Sequence, residues 1–152
     1  MYSGVLLVHS WLRWAVILAG LLAVFRAIAG ISSRREWNSA DERAGLWFTL
    51  TLDIQMVLGL WLYFVLSPFT TAALGDFGAA MRSAGLRFWA VEHAVGMIVA
   101  VALAHVGRVR IRKAPASRRH VIAAVFFGTA LVAILASIPW PGLPYGRPWV
   151  RW

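Results

Sequence analysis

Apolar side chains run almost without interruption over residues 5–28, 46–66, 88–106 and 121–138, and polar clusters separate these runs. A half-buried strand would alternate polar and apolar positions, and these runs do not. Each is about 18 to 24 residues long, enough at 1.5 Å per residue to cross a hydrocarbon layer of about 30 Å. The fourth, "VIAAVFFGTALVAILASI", carries no charge. Lipid offers backbone amides no hydrogen-bond partner, so a continuous apolar span must satisfy them internally, as a helix. The pattern predicts an all-α, integral membrane four-helix bundle, one domain over residues 1–152, with an interfacial tail at 139–152.

The connections refine this picture. "GISSRREWNSADERAG" is polar, and Ser39 followed by Glu42 has capping-box spacing, which predicts a short helix before the second span. "SPFTTAALGDFGAAMRSAG" is moderately apolar and punctuated by glycine, as expected of a segment lying along the outer interface. Its "GDFG" resembles the kinase metal-binding tripeptide, but without the other kinase motifs it carries no chemistry. In "IPWPGLPYGRPWVRW" the prolines forbid another helix, while Trp140, Tyr145, Trp149 and Trp152 suit the headgroup region. "AIAG" at 27–30 mimics a cleavage site. The start has no basic leader, however, and Arg13 interrupts the apolar run, so the first segment reads as a permanent helix. Small residues recur at Ala15, Ala19, Ala23 and Ala27, and at Gly96, Ala100 and Ala104. Such stripes let helices approach closely; the second shares its face with His93 and would also seat a flat ring.

The chain is 61% hydrophobic, with a mean hydropathy of +0.71. It has no cysteine, which excludes disulfides, iron–sulfur clusters, thiolate metal sites and covalent haem attachment. The net charge of +9 is unevenly placed. Arg34, Arg35 and Arg43 flank the first connection, and Arg108, Arg110, Arg112, Lys113, Arg118 and Arg119 the third. Only Arg82 and Arg87 occupy the second connection, and only Arg147 and Arg151 the tail. Nine against four is the positive-inside pattern, so both termini are expected on the periplasmic side of a bacterial inner membrane. The basic segments then face anionic lipid headgroups, and nucleic acid is not an expected partner.

The remaining chemistry lies in ionisable groups inside or beside the spans. The first and third helices run the same way, so His9 and His93 fall at one depth near the outer surface. His105 and His120 fall near the inner one. His93 and His105 are about 18 Å apart along one helix, a layout of two stacked redox centres. A b-type haem needs imidazoles facing across a bundle and cations for its propionates. His9 and His93 supply the first pair, with Arg13 and Arg87 for the propionates. His105 lies about 120° around the helix from His93, so both cannot face one seam. Each histidine has a plainer reading as a core or interfacial residue satisfied by a hydrogen bond. For the carboxylates, ion pairs are the plain reading: Arg26 with Asp53, and Glu92 with Arg13 or Arg87. The functional reading makes Asp53 or Glu92 a proton-exchange group or a partner for a quinol hydroxyl.

The segments "VHSWLRW" (8–14), "DIQMVLGLWLYFVLSP" (53–68), "LRFWAVEH" (86–93), "RRH" (118–120) and "IPWP" (138–141) together resemble a family of small four-helix bacterial membrane proteins labelled cytochrome b-like. The likeness covers nearly the whole chain, and His9, His93 and His120 fall on the family's histidines. Position 53 departs, with Asp53-Ile54-Gln55 where the family has His-Ile-Gln. An inner haem between the second and fourth helices would thus lack one ligand, leaving His105 to compensate. The resemblance implies haem b, one at His9 and His93 and a second only if His105 and His120 ligate it.

Two functions follow. One is a membrane b-type cytochrome passing electrons within a respiratory chain, linked to the quinone pool or a larger redox complex, with Glu92 tuning His93 and no catalytic residue of its own beyond quinone oxidoreduction. The other is a cofactor-free accessory or scaffold subunit packed against a larger membrane complex.

Overall fold

In a computed structural model of the protein, which describes residues 1–151, every regular element is helical. Helix α1 covers Tyr2–Ser32 and α2 covers Ser39–Trp61, continuing as a wider π-helical turn at Leu62–Leu66. Three short helices follow: α3 (Pro68–Gly75), α4 (Phe77–Arg82) and α5 (Ala84–Arg87). A second π-helical turn at Phe88–Glu92 leads into α6 (His93–Lys113), and α7 covers Ala116–Ser137. The four long helical stretches, of 31, 28, 30 and 22 residues, are each long and apolar enough to cross a membrane. This is the fold of a multi-pass membrane protein; the first three expected spans lie inside one of these stretches each, and the fourth overruns its helix by one residue, Ile138, which is extended ahead of Pro139.

The start of α2 differs from expectation. Asn38, not Ser39, is the cap: its side chain accepts from the amides of Ala40 and Asp41 at 3.0 and 3.3 Å, and Asp41 Oδ2 accepts from the Asn38 amide at 3.0 Å. The box is one residue earlier and opens α2 itself, with no separate helix before it. Asn38–Asp41 and Ser39–Glu42 have the same spacing, and the first wins because Asp41 has a second task. Buried at 2% exposure, its carboxylate takes Arg26 Nε at 2.9 Å and two nitrogens of Arg35 at 2.5 and 2.7 Å. The expected Arg26–Asp53 pair does not form. Asp53 sits twelve residues farther along α2, about 18 Å away along the axis.

Small residues set the packing. Phe48 and Phe127 cross edge to face, 5.7 Å apart at 87°. A Cβ on Gly20 would stand 2.9 Å from the Phe48 ring, and one on Gly45 3.1 Å from Phe127. Ala23, Ala27, Ala100, Ala104, Ala123 and Ala130 are buried around them. Helices of like polarity to the lipid gain little from burial itself, so this close van der Waals fit is what holds them. Leu18, Phe25, Phe64 and Val132 point outward, each about two-thirds exposed.

Helix α1 lies against α2 and α7, and α6 lies against α7. The fourth seam, between α2 and α6, is the loosest. Helix α7 is also short, about 33 Å against about 46 Å for α1. The space beyond its end, on the side of the bundle that holds both termini, is filled by α3–α5 and by the tail.

Candidate functional site: a cavity between two histidines

His9 on α1 and His93 at the start of α6 face each other near the terminal end, with ring centres 6.4 Å apart and planes at 73°. A cavity of about 250 Å³ opens beside them in the α2–α6 seam. Gln55, Met56, Gly59 and Tyr63 line it from one side, and Ala90, Ala94 and Met97 from the other. Two side chambers of about 60 and 70 Å³ share both histidines. The loose seam leaves the cavity open toward lipid. The π-helical turns border it directly, and Tyr63 Oη of one donates to the carbonyl of Ala90 in the other at 2.7 Å. Such turns widen a helix locally and re-aim the side chains that follow, here His93.

The "IPWP" segment orients His93. In a helix the carbonyl of residue i accepts from the amide of i+4. For Leu135 and Ser137 those residues are Pro139 and Pro141, which have no N–H. Both orphaned carbonyls find side-chain donors: Trp140 Nε1 reaches Leu135 O at 2.8 Å, and His93 Nδ1 reaches Ser137 O at 2.8 Å. A carbonyl can only accept, so Nδ1 of the neutral His93 ring carries the proton and Nε2 keeps a free lone pair. His9 is held differently. Its carbonyl accepts Gln55 Nε2 at 3.0 Å, while its Nδ1 and the Gln55 Oε1 are buried without partners. Its ring edge lies on Gly59, where a Cβ would stand 3.2 Å from Cε1.

Other expected residues are distributed unevenly. Arg13 lines a side chamber and donates to Trp149 O at 2.8 Å. Arg87 does not join it: its Nε pairs with Glu92 at 2.7 Å and its Nη1 reaches Met81 O. Arg147 and Arg151 line the chamber instead. Glu92 therefore faces Arg87, and the group fixing His93 is the Ser137 carbonyl. The small-residue stripe of α6 is not open either. The Ser137 side chain fills the space beside Gly96, and Phe126 that beside Gly107, so the stripe is a helix contact with α7.

At the basic end the two remaining histidines part. His105 uses both nitrogens, Nδ1 on Val101 O at 3.0 Å and Nε2 on Asp53 at 3.3 Å. That pair sits half-exposed in the α2–α6 seam. His120 is buried against Gly30, where no Cβ would fit, and under the Trp37 ring at 5.0 Å. Neither of its nitrogens has a partner.

Sequence reasoning missed Gln55, Tyr63, Arg147, Arg151 and the Ser137 carbonyl. The last was legible, since two prolines spaced two apart at a helix end orphan two carbonyls. Among the described residues no three histidine, cysteine, aspartate or glutamate side chains cluster, and the two imidazoles share the cavity with the thioethers of Met56 and Met97. No family model, curated protein or solved structure matches the chain.

Proposed function

We propose that the protein is a membrane b-type cytochrome whose haem is held between His9 and His93. The observation that carries this reading is the separation of the two rings together with the tautomer of one of them. An imidazole nitrogen binds a transition metal at roughly 2.0 Å and lies about 1.1 Å from its ring centre, so two rings opposed across one metal have centres about 6.2 Å apart. The observed value is 6.4 Å, and ring planes are free to rotate about a common axis. His93 presents Nε2 because Ser137 holds Nδ1, the outer-shell arrangement that fixes histidine ligands. The enclosed volume is smaller than a porphyrin, and the lipid-facing seam is where the macrocycle edge would project.

An iron with two imidazole ligands has no open position and would carry electrons without binding oxygen. The chain's own part is to hold the rings at fixed separation, exclude water with Met56, Met97 and Tyr63, and admit the group laterally. The resemblance to cytochrome b-like proteins and the nine-to-four distribution of basic residues support an electron-transfer role in a bacterial inner membrane with periplasmic termini, exchanging electrons with a quinone or a redox complex.

The test is a reduced-minus-oxidised spectrum with a haem-to-protein ratio. A sharp visible band on dithionite reduction at one haem per chain is expected, and H9A and H93A should each abolish it. A colourless, fully folded preparation from haem-replete cells overturns the proposal. That outcome would favour the cofactor-free scaffold, for which the half-exposed Asp53–His105 pair speaks, since a second protein would shield it from lipid.

A further inference from the structure

We propose that Arg13, Arg147 and Arg151 form an oxyanion-binding site at the terminal end of the bundle, beside the two-histidine cavity and independent of what that cavity holds. The three side chains line one chamber of about 60 Å³. Arg13 Nε is buried there without a partner, although its Nη2 bonds Trp149 O. Arg147 lies over the rings of Phe69 and Trp89, at 4.8 and 4.9 Å. Stacked on both, its guanidinium has its position set by aromatic faces and not by a counter-charge.

No carboxylate among the described residues answers these cations. The chain has six acidic residues. Asp41 and Glu42 bind arginines near the start of α2, and Glu36 belongs to the connection just before it. Asp53 pairs with His105, and Glu92 with Arg87. Asp76 caps α4. Burial lowers the Arg147 pKa from the ordinary arginine value; Tyr2 opposes this, and Arg151 adds to it. Guanidinium groups stay charged, so the chamber holds three like charges in a partly desolvated place. That arrangement is unfavourable alone and becomes favourable when a carboxylate or phosphate enters, through the charge-assisted, forked bonds that arginine makes.

Two of the three cations belong to the tail. Its Arg147 amide returns to Pro139 O, Tyr145 stacks on Phe88 at 3.8 Å, and Trp11 Nε1 reaches Arg151 O at 3.1 Å. Anion binding therefore fastens the tail over the bundle end, and Trp14, Trp140 and Trp149, grouped beside Arg13, report it.

The anion could reach the chamber as free phosphate, as a lipid phosphate or as the carboxylates of a porphyrin, and three arms separate these. Haem-free protein in phosphatidylcholine nanodiscs is titrated with inorganic phosphate while tryptophan emission is followed. The same emission is compared after phosphatidylglycerol replaces a third of the lipid. Binding of haem is compared with that of its dimethyl ester. A saturable response in at least one arm is expected. R147Q/R151Q should weaken it about tenfold or more, R147K/R151K should recover only the part that charge alone supplies, and R82Q should leave it unchanged. Melting temperature and helical content of the glutamine variant show that it is folded. If no arm responds, or the folded glutamine variant responds like the wild type, the site does not exist, whatever the haem spectrum shows. A colourless protein that still binds phosphate would defeat the cytochrome reading and leave this one standing.

Discussion

His93 gives its Nδ1 proton to the main-chain carbonyl of Ser137, 2.8 Å away on the neighbouring helix. The acceptor exists because Pro141 cannot supply the amide that would close the last turn of α7. A ring orientation on α6 is thus written into the proline spacing that ends α7.

Replacing both prolines tests this link. In P139A/P141A the helix can continue, and the amide of residue 141 competes for Ser137 O. His93 then loses its fixed tautomer. Outer-shell partners of this type are worth roughly 10- to 100-fold in affinity, so haem titration of the double variant should show a loss in that range with helical content unchanged or slightly raised. A wild-type affinity in a variant with an extended helix would show that Ser137 does not govern the ring.

His120 permits a prediction with the opposite sign. It is buried at 5% exposure with both ring nitrogens unpaired. An unpaired buried polar group is destabilising by about 1 to 3 kcal/mol relative to an apolar one of similar shape. H120L should therefore melt no lower than the wild type and keep the haem-to-protein ratio of the His9–His93 site. G30A should melt clearly lower, because its new methyl has no room against the same ring. A lost band or a halved haem content in H120L would show that His120 is a ligand after all.

Much of the fold was legible because it follows from one solvent. Lipid forces helices, and four apolar runs give four spans. The depth of His9 and His93 followed from residue counting along co-oriented helices, and their meeting at 6.4 Å needed only that the bundle close. Finer placement was not legible. Arg26 and Asp53 differ in depth, because Asp41, about 18 Å nearer the α1–α2 turn than Asp53, engages Arg26. Arg87 has the right depth for the cavity, yet the π-helical turn at Phe88–Glu92 intervenes and Glu92, five residues on, takes it. Arg147 and Arg151 were invisible as site residues because no periodicity governs a proline-rich tail.

The Asp53–His105 pair decides whether the α2–α6 seam faces lipid alone. Its side chains are 45% and 47% exposed on the side where no helix of the chain covers them. In hydrocarbon a carboxylate and an imidazole are each unfavourable and are tolerated chiefly as a pair. Removing one partner strands the other, whereas removing both leaves an apolar surface that lipid accepts. Melting the protein in detergent should therefore rank D53L and H105L below the wild type, and D53L/H105L at or above it. If another protein shields the seam, the double variant also loses that partner on native gels while still melting at or above the wild type by itself. If the single variants melt like the wild type, the two groups are solvated separately and the 3.3 Å contact contributes nothing.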